Sequence, residues 1–254
     1  MFELQDKVAI VTGGAQGIGK GIVHALAKQG AKIAVADLSR EGAESAASEI
    51  EKEGGVALGV QTDITDFDQV MAMVNRVKES YGSVDILVNN AGWDKMELFM
   101  KTTPDLWDRI ININYRGALN CIYAVVNDMI DRKNGKIISI GSDAGRVGSM
   151  GEAVYSGAKA AIIAFSKSLA RELARYSINV NVVCPGPTPT PMLEGMMEEG
   201  EFARKVLSSI DKIIPLKRMG TPDDIAHAVV FLASEEAAFI TGQVLSVSGG
   251  LSMV

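Results

Sequence analysis

The sequence has few of the residues that build metal centres or disulfide frameworks. Among 254 residues there are two cysteines, Cys121 and Cys184, and two histidines. The two cysteines have neither zinc-site nor disulfide spacing. The composition therefore predicts no metal site and no disulfide scaffold.

Positive charge and long apolar runs are also scarce. Asp and Glu number 31 against 25 Lys and Arg, for a formal net charge of −6. This balance argues against nucleic acid or an anionic membrane as a partner. No apolar run reaches membrane-spanning length, and the N-terminus lacks a signal-peptide pattern. We expect a cytoplasmic protein with a single domain over residues 1–254.

The sequence does contain a regular alternation of short apolar runs and longer helical patterns. The predicted strands are Val8–Thr12, Lys32–Asp37, Val56–Asp63, Val84–Asn89, Gly135–Ile140, Asn179–Cys184 and Gln243–Val247. The predicted helices are 17–29, 40–53, 66–81, 104–131, 153–176 and 222–233. The strands are continuously apolar, which is typical of parallel strands covered on both faces. The alternation predicts a doubly wound α/β sheet.

The segment 188–215 interrupts this alternation. It follows the sixth strand and is rich in Pro, Met and Glu. Ligands of such sheets bind beyond the carboxyl ends of the strands. We interpret the segment as a substrate lid, with a surface helical excursion as the alternative.

The first strand leads into a glycine-rich turn, TGGAQGIG at 12–19, and then a helix. Glycines there allow a tight turn and a close approach of the backbone to a pyrophosphate. Asp37, at the end of the second strand, can bind ribose hydroxyls and would repel a 2′-phosphate. Arg40 is the only nearby cation that could favour NADP. We therefore predict NAD, with Asp63 as a candidate contact for the adenine amino group.

Tyr155 and Lys159 lie at i and i+4, on one face of a predicted helix. A lysine cation one turn away favours the phenolate. Moving a phenol pKa from about 10 to about 7 takes about 4 kcal/mol. With Ser142 upstream, the pair is a candidate proton-transfer device; alone, the same spacing also suits a solvated helix face.

Together these segments resemble the short-chain dehydrogenase/reductase family. The matching pieces, in order, are TGGAQGIG at 12–19, Asp63-Ile64, NNAG at 89–92, Asn114, Ser142, YSGAK at 155–159 and PGPTPT at 185–190. The resemblance implies a Rossmann-like sheet of seven mainly parallel strands in the order 3-2-1-4-5-6-7, with helices on both faces.

The resemblance also implies a catalytic tetrad of Asn114, Ser142, Tyr155 and Lys159. Tyr155 would take the alcohol proton while hydride leaves for the nicotinamide, and Ser142 would hydrogen-bond the substrate oxygen. Lys159 would lower the pKa of the phenol and hold the nicotinamide ribose. Asn114 would hold a water that relays protons to Lys159.

The predicted cofactor contacts lie in the glycine-rich turn, at the acidic strand ends and in the segments that match the family. They are Gly13, Gln16, Gly17, Ile18, Gly19, Asp37, Asp63, Ile64, Asn90, Ala91, Gly92, Tyr155, Lys159, Pro185, Gly186, Thr188 and Thr190.

Shorter variants suggest a substrate. Trp93-Asp94 after NNAG, the run 142–155 and the run 240–250 are similar to 2-hydroxycyclohexanecarbonyl-CoA dehydrogenases, which oxidise a cyclic β-hydroxyacyl-CoA with NAD. The candidate substrate contacts are Trp93, Ser142, Arg146, Tyr155 and Met192. Arg146 would meet a thioester, carboxylate or phosphate, or else pair with Asp143 or Glu152. Trp93 would wall a ring pocket, or else pack against the helix 104–131.

Other functions stay open at this point. A 3-oxoacyl-carrier-protein reductase is one alternative, although that activity normally uses NADPH, and a sugar or polyol dehydrogenase is another. A non-catalytic dinucleotide sensor would not need both Tyr155 and Lys159. Small residues along the helix 153–176, taken with the resemblance, predict helix pairing within a homotetramer.

Overall fold

All seven predicted strands form, and they pair in parallel in a single sheet. The computed structural model describes residues 2–208 and 210–254, without the side chain of Glu199. The strands are β1 Val8–Thr12, β2 Lys32–Asp37, β3 Val56–Gln61, β4 Ile86–Asn89, β5 Gly135–Ile140, β6 Ile178–Pro185 and β7 Val244–Val247. Their order is β3-β2-β1-β4-β5-β6-β7, and every pairing is parallel. The predicted fold class is confirmed.

Helices cover both faces of this sheet. They are α1 Gly17–Lys28, α2 Arg40–Lys52, α3 Phe67–Tyr81, α4 Pro104–Ile111, α5 Gly117–Arg132, α6 Ala144–Val147, α7 Ala153–Leu173, α8 Pro191–Glu199, α9 Glu201–Leu207, α10 Ile210–Ile213 and α11 Pro222–Ala233. Helices α1, α2 and α11 pack on one face and α3, α5 and α7 on the other. None of the described helices is long and apolar enough to cross a membrane.

The continuous apolar strands are explained by burial on both sides. Along β1, Ala9 and Val11 enter the core beneath α1, whereas Val8 and Ile10 enter the core beneath α3 and α5. All four side chains are buried. A strand covered on both faces cannot show polar alternation, because each face excludes water.

Some strand ends differ from their predicted positions. Strand β3 ends at Gln61, because the Asp63 carboxylate accepts hydrogen bonds from the backbone N–H and the hydroxyl of Thr65, at 2.9 and 2.7 Å, and turns the chain. Strand β4 begins at Ile86 rather than Val84, whereas β6 extends at both ends, from Ile178 to Pro185.

The predicted helix 104–131 is wrong as one continuous element. Helices α4 and α5 are separated by a π-helical turn at Asn112–Arg116. Inside it, the Asn114 amide donates to the carbonyl of Ile110 at 2.9 Å and to the carbonyl of Trp93, outside the helix, at 2.6 Å. This cross-connection favours an expanded turn, and π-bulges are frequent at functional sites.

The segment 188–215 contains three short helices, α8, α9 and α10. They pack through an apolar cluster that includes Met196, Ala203 and Leu207, together with Met96 from the loop after β4. This cluster lies beside the carboxyl edge of the sheet. Movement of the segment as a lid stays a prediction.

Candidate active site

The turn after β1 has the shape of a phosphate cradle. Gly13 and Gly17 have φ angles of +62° and +54°, in the left-handed region that favours glycine. A Cβ atom on Gly13 would lie 2.8 Å from the Cα of Ala91. Helix α1 begins at Gly17, and the side chain of Gln16 makes no capping hydrogen bond. The first N–H groups of α1 are therefore left for an anion such as a pyrophosphate.

The segment NNAG is locked to this turn by side-chain hydrogen bonds. The Thr12 hydroxyl accepts from the backbone N–H groups of Asn90 and Ala91, at 3.0 and 3.1 Å. The Asn90 amide donates to the carbonyls of Thr12 and Gly13, both at 3.0 Å. The carboxyl ends of β1 and β4 are thereby fixed against each other.

The Asp37 carboxylate is fixed in an orientation that suits hydrogen bonds from the two hydroxyls of a diol. Its two carboxylate oxygens accept from the backbone N–H groups of Ala15, at 3.1 Å, and Ser39, at 3.0 Å. Arg40, the nearby cation, pairs with Glu44 at 2.9 Å, and its side chain is 74% exposed. No other side-chain cation borders this end of the cleft among the described residues. The local charge at Asp37 is therefore negative.

A cleft of about 1200 Å³ runs along the carboxyl edge of the sheet. Every cofactor contact predicted from the sequence lines it, from Gly13 through Asp37, Asp63 and Gly92 to Thr190. The cradle, the diol-binding carboxylate and the elongated cleft fit a nicotinamide dinucleotide. The individual contacts stay predictions.

Ser142, Tyr155 and Lys159 meet in the middle of the cleft. Ser142 follows β5, and Tyr155 and Lys159 lie on successive turns of α7. Tyr155 is 8% exposed and Lys159 is 4% exposed. The Lys159 ammonium donates to the carbonyl of Ile140 at 2.9 Å and lies 5.5 Å from the centroid of the Tyr155 ring. The Ser142 hydroxyl accepts from the backbone N–H of Ala144 at 3.1 Å and is near enough to the Tyr155 phenol to lower its pKa.

The protein alone raises the pKa of Tyr155, contrary to the expectation from the spacing. Burial is the main cause, and the carboxyls of Glu152 and Asp94 add to it, whereas the Ser142 hydrogen bond acts in the opposite direction. Burial also lowers the pKa of Lys159 to about 8. The correction is physical: a buried lysine is itself desolvated, so its cation cannot offset the desolvation of the phenol.

Asn114 lies behind Lys159, at a small polar cavity of about 10 Å³. This space suits one water molecule. The amide of Asn89 and the hydroxyl of Ser139 also line the cavity, and neither has a hydrogen-bond partner among the described residues. The polar lining fits the predicted water beside Lys159.

The predicted substrate contacts separate into two groups. Trp93 and Met192 line the cleft with Ser142 and Tyr155. The Trp93 ring also carries the guanidinium of Arg109, 3.8 Å from the ring centroid. Arg146 instead pairs with Asp143, at 3.7 Å, and is not among the lining residues described for the cleft. A contact between Arg146 and substrate therefore requires this ion pair to open.

The sequence interpretation missed three residues near the reacting centre. Arg109 and Glu152 line the cleft, and Asp94 is buried and helps to raise the pKa of Tyr155. The position of Glu152, three residues before Tyr155, was a usable signal, because the start of a helix shares its neighbourhood with the next turn. Neither Arg109 nor Asp94 had a comparable signal.

The chain is similar to known proteins over almost its whole length. Residues 13–252 match a protein family described as enoyl-(acyl carrier protein) reductase. The 3-oxoacyl-[acyl-carrier-protein] reductase FabG of Thermotoga maritima is 39% identical over 250 residues, 98% of this chain and 99% of that protein. The acetoacetyl-CoA reductase of Shinella zoogloeoides is 42% identical over 246 residues, 96% of this chain and 98% of that protein.

Two solved structures have the same architecture. The crystal structure of gox2181 superposes with a TM-score of 0.93 at 34% identity, covering 98% of this chain and 97% of that chain. The structure of levodione reductase superposes with a TM-score of 0.92 at 31% identity, covering 97% of each chain. The likeness therefore includes both the sheet and the segment beside the cleft.

The cradle generates a prediction with a matched control. We expect Gly13→Ala to weaken NADH binding by about tenfold or more, because the methyl group meets Ala91 and left-handed strain costs about 1–2 kcal/mol. Gly54→Ala is the control, since Gly54 has a φ of +87° but no neighbour within 4 Å of its Cβ position. Fluorescence titration with NADH measures both. Equal affinities in the two variants would contradict the cradle.

Proposed function

Because the chain belongs to the short-chain dehydrogenase/reductase family, we propose that it interconverts a 3-hydroxyacyl thioester and the corresponding 3-oxoacyl thioester with NAD. The coarser statement follows from the family: the protein is an oxidoreductase that acts on a CH–OH group with a nicotinamide dinucleotide. The thioester and the choice of NAD are the proposed parts.

The observation that carries the thioester proposal is the agreement between two relatives. The names of the Thermotoga and Shinella proteins each specify a 3-oxoacyl thioester, on a carrier protein in one and on coenzyme A in the other. These names favour the 3-oxoacyl-carrier-protein reductase alternative over the cyclic coenzyme A thioester expected from the local motifs. In both candidate substrates the thioester carbonyl lies two carbons from the carbon that is oxidised or reduced.

A cyclic substrate remains the second candidate. Trp93 favours it, because this half-buried indole lines the cleft next to the reacting centre and offers a flat apolar wall. The cyclic substrate 2-hydroxycyclohexanecarbonyl-CoA is itself a 3-hydroxyacyl thioester, so the same hydroxyl group reacts in both candidates.

The arrangement of the tetrad supports proton transfer at the substrate oxygen. When bound, the nicotinamide supplies or accepts the hydride. In this proposal Ser142 and Tyr155 hydrogen-bond the substrate oxygen, and Tyr155 donates its proton in reduction or accepts one in oxidation. The raised pKa of Tyr155 keeps the phenol protonated at neutral pH, the form needed for reduction. Lys159, with a pKa of about 8, is mostly cationic at that pH.

The surroundings of Asp37 support NAD as the cofactor. The two backbone N–H donors hold its carboxylate in place, so it can accept hydrogen bonds from both ribose hydroxyls. A 2′-phosphate would meet this negative charge, while Arg40 is already paired with Glu44. Moving Arg40 to a phosphate would cost that ion pair.

The homotetramer also remains a proposal, supported by one face of α7. Gly157, Ala160, Ala164 and Ser168 are exposed along that face. Such small side chains permit close helix pairing, and the family resemblance suggests a second copy of the chain as the partner.

The role of Tyr155 gives a direct kinetic prediction. We expect Tyr155→Phe to lower kcat by about 100- to 10,000-fold, because the proton donor is lost. NADH affinity should stay unchanged, since the ring is retained. Tyr123→Phe is the matched control, because Tyr123 is 64% exposed on α5. Stopped-flow kinetics and NADH titration measure the two quantities, and substantial turnover by Tyr155→Phe would remove the assigned proton donor.

The cofactor proposal is tested at Asp37. Wild-type protein should bind NADH more tightly than NADPH, and Asp37→Ser should reduce this preference by about tenfold, or about 1.4 kcal/mol. Asp131→Ser, an exposed position at the end of α5, is the control. Calorimetric titration of the three proteins with both cofactors gives the six dissociation constants required. Tighter binding of NADPH by the wild type would refute the choice of NAD.

The substrate proposal is tested by comparing kcat/KM across four ketones with NADH. The set is acetoacetyl-CoA, acetoacetyl-carrier protein, 2-oxocyclohexanecarbonyl-CoA and a ketohexose. We expect the thioesters to exceed the ketohexose by about 100-fold or more, because binding of the acyl carrier is used only by the thioesters. A preference for the ketohexose would refute the proposed substrate class.

A further inference from the structure

Asp143 is a buried carboxylate that joins two separate parts of the carboxyl edge of the sheet. It directly follows Ser142 in the loop between β5 and α6, and it is 5% exposed. Its two oxygens accept from the Ser246 hydroxyl of β7, at 2.8 and 2.7 Å. The positions of Asp143 and Ser246 differ by 103 residues. The contact therefore ties the loop that carries Ser142 to the last strand of the sheet.

The hydrogens of this contact follow from the number of donors. A hydroxyl carries one hydrogen and a carboxylate carries none, so the Ser246 hydroxyl donates to Asp143. The hydrogen between Ser246 and Ser248, whose oxygens lie 3.0 Å apart, then comes from Ser248. The Ser248 oxygen in turn accepts from the backbone N–H of Ser252 at 3.3 Å. Every donor in this chain of hydrogen bonds points toward the Asp143 carboxylate.

The surroundings of Asp143 strengthen this tie. Arg146 lies 3.7 Å from one carboxylate oxygen, which suits an anion at that place. Hydrogen bonds to an ionised acceptor are about twice as strong as neutral ones. The Asp143 backbone is also held on the same side, because its N–H donates to the carbonyl of Pro185, at the end of β6, at 3.3 Å. Side chain and backbone therefore fix this residue to two strands.

Ser142 itself has only a local tie of this kind among the described residues. Its hydroxyl accepts from the backbone N–H of Ala144 within the same loop. Helix α6 packs on α7, where a Cβ on Gly145 would lie 2.8 Å from the Cβ of Lys159. Apolar packing sets the spacing between loop and helix but is not directional, whereas hydrogen bonds are. The orientation of the loop therefore depends on the polar contacts of Asp143.

We propose that Asp143 is a positioning residue, which directs the Ser142 hydroxyl toward the substrate oxygen through its anchor on Ser246. A misplacement of about 1 Å at a reacting centre can lower a rate by about 100-fold. The inference rests on the part of the proposed function that assigns Ser142 to the substrate oxygen. It does not depend on which ketone is the substrate.

The kinetic test uses NADH and the ketone that the wild type reduces fastest in the substrate comparison. We expect Asp143→Ala to lower kcat by about tenfold or more with little change in KM, because a misaligned Ser142 is felt in the transition state. Asp143→Asn should recover most of the activity, since its amide oxygen still accepts from Ser246. Ser246→Ala should resemble Asp143→Ala. Ser80→Ala, at an exposed position of α3, is the control.

A double variant separates positioning from structural support. Ser142→Ala should lower kcat by about 100-fold, because a donor to the substrate oxygen is lost. In that background, Asp143→Ala should lower kcat by less than about twofold further, because residues that act as a unit are not additive. A residue with an independent structural role would instead multiply the two losses.

Four kinetic outcomes would overturn the inference. A raised KM with unchanged kcat in Asp143→Ala would mean that Asp143, which also lines the cleft, contacts the substrate directly. An unchanged kcat in Ser246→Ala would mean that the anchor is not used. Equal losses in Asp143→Asn and Asp143→Ala would mean that the charge matters rather than the hydrogen bond. Multiplied losses in the double variant would mean that Asp143 does not act through Ser142.

Amide hydrogen exchange gives a readout that is independent of turnover. Asp143→Ala should speed exchange in 141–148 and 248–252 and leave exchange in β1 and α1 unchanged. Faster exchange throughout the chain would mean general destabilisation and would overturn the anchor.

The two assays together distinguish the inference from the proposed function. If Ser142→Ala is impaired while Asp143→Ala keeps full activity, the proposed role of Ser142 stands and the inference alone is overturned. If Ser142→Ala keeps full activity, the proposed role of Ser142 fails and the positioning role of Asp143 fails with it, whatever the exchange pattern.

Discussion

The whole site depends on the hydrogen bonds that join the carboxyl ends of β1 and β4. The Thr12 hydroxyl accepts hydrogen bonds from two backbone N–H groups of the segment NNAG, and the Asn90 amide donates two hydrogen bonds to the glycine-rich turn. These contacts set how closely Gly13 approaches Ala91. They also place Gly92 against Asn114 and Lys159, since a Cβ on Gly92 would lie 2.9 Å from the Asn114 amide oxygen and 3.4 Å from the Lys159 nitrogen. The cofactor cradle and the proton-transfer group are therefore positioned by one small network.

Burial has opposite effects on the two ionisable members of the tetrad. It raises the pKa of Tyr155 and lowers the pKa of Lys159 to about 8, so in the protein alone both groups are pushed toward their neutral forms. Two further carboxyls, Asp94 and Glu152, strengthen the effect on Tyr155. The helical spacing of tyrosine and lysine shows that the two are neighbours, but their ionisation depends on everything else that is enclosed with them.

Most of the fold could be predicted from the sequence, because its strands and turns have local sequence signals. Apolar runs such as VAIVT marked the strands, and the glycines of 12–19 marked the cradle, since each reflects a constraint that acts within a few residues. The strand order came from the family resemblance. The break at Asn112–Arg116 could not be foreseen, because its cause is a contact between Asn114 and the distant Trp93.

The substrate side of the site was harder to predict from the sequence, because it too depends on contacts between distant residues. The spacing allowed the pair of Arg146 with Asp143, three residues before it, as an alternative. The position of the Arg109 guanidinium over the Trp93 ring, in contrast, depends on how α4 approaches the loop after β4. Composition and spacing carry no information on such tertiary contacts. The cofactor side, in contrast, is built from consecutive residues in turns whose shape glycine and aspartate dictate.

The π-helical turn at Asn112–Arg116 has a consequence for how this part of the chain can change in length. An α-helix advances about 100° per residue, and a π-helical turn accommodates one residue more than an α-helical turn. Deleting one residue there would leave one ordinary α-helical turn, so α4 would keep its orientation relative to α5. The buried side of α4, marked by Ile110, would stay buried, but the side chains within the turn would shift, and Asn114 would lose its register with the carbonyl of Trp93. Single-residue deletions in this segment should therefore disturb the site more than they disturb the packing of α4.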